Sequence, residues 1–130
     1  MKTVGIDTCI LLRLVVGEPA VQAGKARKFV EHAFNNGICV CVCDLTIAEA
    51  YHALVHHYEV PQSKAVRVLK DFLESTMITS TGHALAVLNG YKGTGAGFVD
   101  RLIRMELLDH AHEIATFDRS FARLDNVSMI

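Results

Sequence analysis

No apolar run in this chain approaches the length of a membrane span, because Asp7 and Arg13 interrupt the one segment, Ile10-Leu11-Leu12, that follows a basic residue as a signal peptide would. The amino-terminal stretch is therefore expected to be mature structure. The four cysteines contain no Cys-x-x-Cys pair, which argues against a disulfide framework and for reduced thiols in a cytoplasm. Charge of one sign is also missing. Thirteen basic residues against fourteen acidic leave a formal charge of −1, so no global field draws the protein onto nucleic acid or an anionic membrane, and any such contact is local or metal-mediated. Internal repeats and low-complexity segments are absent as well. What remains is 130 residues with 51% hydrophobic content, enough for one domain over residues 1–130 with a true core. The mean hydropathy of +0.28 leaves apolar surface over for a partner or for a second copy.

The stretch Lys2-Thr3-Val4-Gly5-Ile6-Asp7-Thr8 reads as a central buried strand that delivers a carboxylate at its carboxyl end. Taken alone, Asp7 reads equally as the cap of a helix starting at Thr8 or Cys9. A helix over Thr8 to Val16, apolar nearly all round, is expected to be buried on more than one side and stopped by Gly17-Glu18-Pro19. From Ala20 to Asn36 the pattern is amphipathic, with Ala26, Phe29, Val30 and Ala33 inward. Ile38 to Cys43 alternates branched residues with three cysteines, which predicts a second strand whose thiols are small core residues on one face. Helices over Thr46–Tyr58, from Pro61, over about Gly82–Tyr91 and about Phe98–Asp109 follow. Strands at Met77–Thr79, Glu113–Phe117 and Val127–Met129, and a short helix over Arg119–Leu124, complete the reading. Alternating strands and helices predict an α/β fold of three layers, a central parallel sheet of four or five strands flanked by helices on both faces.

Helices that follow strands begin at the carboxyl edge of a parallel sheet, where ligands collect. By that rule Asp7, Glu49, Asp100 and Asp118 all lie at one edge. Each has a structural alternative. Thr46-Ile47-Ala48-Glu49 fits a capping box, Asp100 is placed to pair with Arg104 one turn on, and Asp118 to cap the helix from Arg119. Together, four carboxylates at one edge repel one another unless a cation neutralises them, and oxygen-only ligands of that charge suit Mg²⁺ or Mn²⁺. A rival set, Glu49, His52 and His56 at i, i+3 and i+7, shares a helix face, but neither a second Glu-x-x-His helix nor a His-Glu-x-x-His order accompanies it. Gly93-Thr94-Gly95-Ala96-Gly97 lacks the preceding strand and the Gly-Lys-Ser/Thr ending of a phosphate loop, and reads as a flexible joint.

The segments Ile6-Asp7-Thr8, Leu45-Thr46-Ile47-Ala48-Glu49, Phe98-Val99-Asp100-Arg101-Leu102-Ile103 and Ala115-Thr116-Phe117-Asp118 resemble, in order and spacing, the four acidic motifs of PIN-domain nucleases, and most of all those of the VapC-type toxins of toxin-antitoxin pairs. The resemblance implies a PIN-like fold and a metal-dependent endoribonuclease of the cytoplasm. It also implies Asp7, Glu49, Asp100 and Asp118 as catalytic, metal-holding acids, with Thr8 and Thr116 as supporting hydroxyls. Mg²⁺ or Mn²⁺ is the implied cofactor, RNA the substrate and a small antitoxin the inhibitor. Cys9 departs from the pattern, since the family commonly has Asn there. On this reading the reaction is hydrolysis of an RNA phosphodiester by metal-activated water, leaving 5′-phosphate and 3′-hydroxyl ends. The other readings are a catalytically weak binding or scaffold module of the same fold, and a nuclease acting on DNA. The apolar excess from Cys9 to Val16, with the amphipathic helices after it, further predicts a homodimer and a groove for an amphipathic antitoxin helix.

Overall fold

A computed structural model describes residues 2–130. Strand β1 (Thr3–Gly5) is followed by helix α1 (Thr8–Val16), which Gly17 ends by adopting a left-handed φ of 81° and donating its N–H to the Arg13 carbonyl. Helix α2 (Ala20–Asn35), strand β2 (Cys39–Val42), helices α3 (Asp44–His56) and α4 (Gln62–Glu74), and strand β3 (Ile78–Ser80) follow. The chain continues through α5 (Ala84–Gly90), α6 (Phe98–Leu108) and β4 (Ile114–Thr116), then a 3₁₀ turn (Phe121–Arg123) and β5 (Val127–Met129). The alternation predicted from the pattern is thus present, with shifts at the ends of several elements.

All strand pairs are parallel, as the α/β reading requires, but the five strands divide into a three-stranded sheet of order β1-β2-β3 and a two-stranded sheet β4-β5. This corrects the place of β1. It is an edge strand paired only to β2, with Thr3 and Gly5 exposed, whereas β2 is central with Val40 and Val42 buried. Register explains which residues share a face. Val4 stands opposite Val40 and Val40 opposite Ile78, and this face carries the main core together with Leu11, Ile47 and Leu69, all three completely buried. Thr3, Gly5, Cys39, Cys41 and Thr79 share the other face, which is exposed or only half-buried.

The expected coverage of both faces is therefore unequal here, and the strand cysteines are not deep core residues. Cys39 and Cys41 are half-buried, with the Cys39 thiol donating to the Thr79 hydroxyl at 3.1 Å, and Cys43 is exposed at the start of α3. Two further expectations change. Phe29 is 43% exposed because the inward stripe of α2 is carried by Ala23, Ala26, Val30 and Ala33. Helix α1 buries only Leu11 fully, the rest of its apolar residues being half-covered.

A second, small cluster of Ile114, Phe121 and Val127, with Leu108 and Leu124 against it, holds β4, the 3₁₀ turn and β5 together. Arg104 of α6 ties this unit to the body by donating to the Asp125 carbonyl at 2.8 Å. No helix of the described residues is long and apolar enough to cross a membrane.

Candidate metal centre and groove

Asp7 does cap α1, its Oδ1 accepting from the Ile10 N–H at 3.1 Å. One oxygen of the carboxylate serves the helix and the other carries no such duty. The N-cap position also sets the acid against the positive end of the helix, which offsets part of its charge. Asp100 stands likewise in the first turn of α6. The alternative pairing with Arg104 does not form, since that guanidinium is turned to Asp125 and the Met105 sulfur.

Helix α3 begins at Asp44, two residues earlier than the pattern suggests, so Glu49 lies in its second turn and the capping box with Thr46 does not exist. The cause is Asp44. Its two carboxylate oxygens accept from the N–H groups of His83 and Ala84 at 2.8 and 2.9 Å, which pins the start of α5 to the start of α3. A Cβ at Gly82 would overlap that carboxylate, so glycine is required by the close approach. Freed from capping, Glu49 accepts from the Thr8 hydroxyl at 3.1 Å. Thr8 follows Asp7 directly, and so the start of α1 and the second turn of α3 are joined by one hydrogen bond.

Glu49 and His52 line one cavity of about 330 Å³ with Ala48 and Val99. His52 and Val99 also line the next, about 210 Å³, with His56, Gln62 and Asp100. The two are halves of one groove between α3 and the start of α6. Its floor is the buried pair Tyr51 and Phe98, with ring centroids 5.0 Å apart. Burial pushes the Tyr51 phenol above its usual range, and Tyr91 beside it adds to the shift. The Gly93–Gly97 segment at the groove's end is no free joint: Arg101 donates to the carbonyls of Ala96 and Thr94 and lies 5.1 Å over the Tyr91 ring.

Asp118 is differently engaged. Its Oδ1 accepts from the N–H groups of Ser120 and Phe121 at 2.8 and 3.1 Å, so it caps the 3₁₀ turn, as the structural alternative held. Thr116 supports it by accepting from the Asp118 N–H at 2.9 Å. The helix expected over Arg119–Leu124 shrinks to that turn. Among the described residues no three His, Cys, Asp or Glu side chains are gathered closely enough to hold a metal ion. The four-acid convergence expected from topology is accordingly not assembled. Thr8, next to Asp7 in the chain, bonds Glu49, Glu49 and Asp100 line the two halves of the groove, and Asp118 sits on the separate β4-β5 unit.

The donor chemistry nonetheless fits a hard divalent cation. Among the described residues the only ion pair joins His83 to Asp109, so Asp7, Glu49, Asp100 and Asp118 are not neutralised by Lys or Arg. Their oxygens are the ligand type that Mg²⁺ and Mn²⁺ prefer. The rival reading on the α3 face meets the opposite result, because His52 and His56 turn their rings toward each other, 4.5 Å between centroids, and do not converge with Glu49 on a common point.

Sequence reasoning saw the shared face of Glu49, His52 and His56 without seeing that Asp100 borders the same groove. It missed Asp44 and Arg101 altogether. Gly82, a glycine just before a helix, was the one signal for the Asp44 clamp. Comparison with curated proteins finds no match. The PIN domain family matches residues 4–127, nearly the whole chain and all four acidic segments. The chain belongs to the PIN-domain family, whose members are typically metal-dependent nucleases.

Proposed function

We propose that this PIN domain is a Mg²⁺- or Mn²⁺-dependent endoribonuclease, the toxin of a VapBC-type pair, with Asp7, Glu49, Asp100 and Asp118 as its acids. The observation that carries the nuclease part is the pair Glu49 and Asp100 along one groove, with Asp7 next in the chain to the Thr8 that bonds Glu49, and with no basic side chain paired to any of them. Asp7, Glu49 and Asp100 would hold the cation most directly, and Asp118 directly or through water. A cation held by these acids would supply the lowered pKa of an attacking water and offset charge on the phosphate and the leaving 3′-oxygen. The chain's own contribution is placement. The α1 cap holds Asp7, the Thr8 hydroxyl orients Glu49, and the Arg101 clasp on the Thr94 and Ala96 carbonyls sets the start of α6 and with it Asp100. Thr116 fixes the backbone that carries Asp118.

The antitoxin part rests on a different surface. A groove of about 570 Å³ between α1 and α2 is lined by Cys9, Ile10, Arg13, Gln22, Lys25 and Phe29. Arg13 is held toward Gln22 at 2.6 Å, so the groove pairs apolar walls with two cations and suits an amphipathic helix bearing acidic residues. It opens at Cys9, two residues from Asp7. A bound antitoxin tail there would place a basic side chain among the acids and compete with the metal. The remaining exposed apolar residues, Ile103 and Leu107 of α6 among them, suit a homodimer.

The deciding experiment is cleavage of an unstructured RNA, and of DNA of the same sequence, with Mg²⁺ or Mn²⁺ and with EDTA. RNA cut only with the ion, leaving 5′-phosphates, is the expected result. Cutting that survives EDTA would overturn the metal reading, and preference for the DNA would overturn the substrate. A chain that binds RNA but never cuts it would favour the scaffold alternative, to which Cys9 in place of the usual Asn lends support. Calorimetric titration of Mn²⁺ with and without the antitoxin tests displacement, equal affinities excluding it.

A further inference from the structure

We propose that His52 and His56 form a stacking subsite for one unpaired nucleobase of the bound strand, a reading that rests on the nuclease assignment above. Helix α3 sets the geometry. Glu49, His52 and His56 stand on one face, so each further turn of α3 carries a side chain farther from Glu49 along the same groove. His52 borders both halves of that groove and His56 only the half beyond it, which contains Gln62 and Asp100. Both rings are exposed and stand 4.5 Å apart at 42°, a tilted pair with one side open to the groove. The Tyr51 and Phe98 rings beneath are buried, which gives the imidazoles a rigid support.

The ligand class follows from what lines this half. It is bounded by flat rings, by the Gln62 amide, which offers both a donor and an acceptor, by the Asp100 carboxylate, and by no Lys or Arg. A phosphate beside the imidazoles, away from any cation at Asp100, would find no Lys or Arg to receive it. A base has a π-face for the imidazoles and a polar edge for Gln62, and it fits only if it is unstacked from its neighbours, so the strand is single. The position of His56, two helical turns from Glu49, places this base away from Glu49, next to the groove half that Asp100 borders.

Direct binding of a short, unstructured, fluorescently labelled oligoribonucleotide to the Asp7→Asn protein tests the subsite apart from cleavage, since Asp7 does not line this groove. His56→Ala in that background is expected to weaken binding about tenfold, with the same ratio at low and high salt because no ion pair is lost, and His56→Phe to restore most of it. In the otherwise unaltered enzyme His56→Ala should raise KM by a similar factor while kcat falls far less. Unchanged affinity in His56→Ala, or a His56→Phe protein as weak as the alanine variant, overturns the subsite. If the parent cuts RNA in an EDTA-sensitive way and His56→Ala is indistinguishable from it, only the subsite fails. Binding that depends on His56 in a parent that never cuts supports the subsite and sinks the nuclease reading. A parent that binds no RNA overturns both.

Discussion

The body built on β1-β2-β3 and the C-terminal unit built on β4-β5 are made of the same parallel strands but carry very different amounts of core. The first buries Leu11, Val40, Ile47, Leu69 and Phe98 in one connected cluster contributed by all six helices and three strands. The second rests on Ile114, Phe121 and Val127, and it leaves Phe117 79% exposed and Ile130 73% exposed at the open ends of its strands. Three of the proposed acids stand on the large body and one on the small unit. The proposed metal site would therefore depend on how firmly a weakly cored unit is held against a strongly cored one, and Leu108 and Arg104 of α6 are side chains that hold it.

The largest effect should separate the acids by the region that carries them. Asp7→Asn and Asp100→Asn are expected to lower RNA cleavage by more than about a hundredfold while leaving the melting temperature nearly unchanged, because each removes a cation ligand and Asn keeps the Asp7 cap on α1. Asn is as good a cap as Asp, so Asp118→Asn preserves the 3₁₀ turn and isolates the carboxylate's chemistry. A similar loss of activity there would show that the small unit contributes to the site. Full activity would leave Asp118 as a cap alone and break the link between the two regions.

Stability should divide the same way. Leu69→Ala empties a completely buried position of the large body and is expected to cost about 2–5 kcal/mol in denaturant unfolding. Val127→Ala is expected to cost about 1–2 kcal/mol and to act locally. Native-state hydrogen exchange sharpens this contrast, since the amides of Ile114–Thr116 should open at lower free energy than those of Val40 and Val42. Equal opening energies would mean that the two units unfold as one.

Smaller still is the effect of Thr116→Val, which removes the acceptor for the Asp118 N–H and is expected to cost about 1 kcal/mol. The resulting freedom at Asp118 should appear as weaker Mn²⁺ stabilisation in thermal melts.

The smallest concerns pH and lies within the large body. The Asp109 carboxylate accepting from His83 at 2.7 Å raises the imidazole above its ordinary 6.5, with Asp44 and Glu106 adding to the shift. A raised folded value means that this contact's stabilisation is complete below about pH 6.5 and is lost as pH rises through the raised value. Melting curves of the parent and His83→Ala should therefore differ most at acidic pH and converge in mildly alkaline buffer. A gap that widens with pH would show that the contact is not the stabilising one.

Much of this protein was determined by sequence alone. The alternation of Val40 and Val42 with Cys39, Cys41 and Cys43 specified a strand and its two faces, because side chains alternate with a period of two wherever that strand lies. Gly17 and the polar-apolar rhythm of Ala20 to Asn36 specified where two helices end, because capping and periodicity are local. The four acidic segments pointed to the family for the same reason, each being read within a few residues.

Tertiary structure decided what those local rules cannot reach. A period of two says which residues share a face but not whether anything covers it, so the half-open cysteine face and the edge position of β1 were not legible. Spacing put Glu49 on a helix, but only folding set the Thr8 hydroxyl against it, 41 positions away in the chain. Asp118 was legible both as an acid after a strand and as a local cap, which its bonds to Ser120 and Phe121 make it, but the pairing of β4 with β5 and not with β1, which sets it on a separate sheet, was not legible. Long-range contacts of this kind depend on which surfaces meet, and a carboxylate's duties are settled only when the donors around it have been brought into reach.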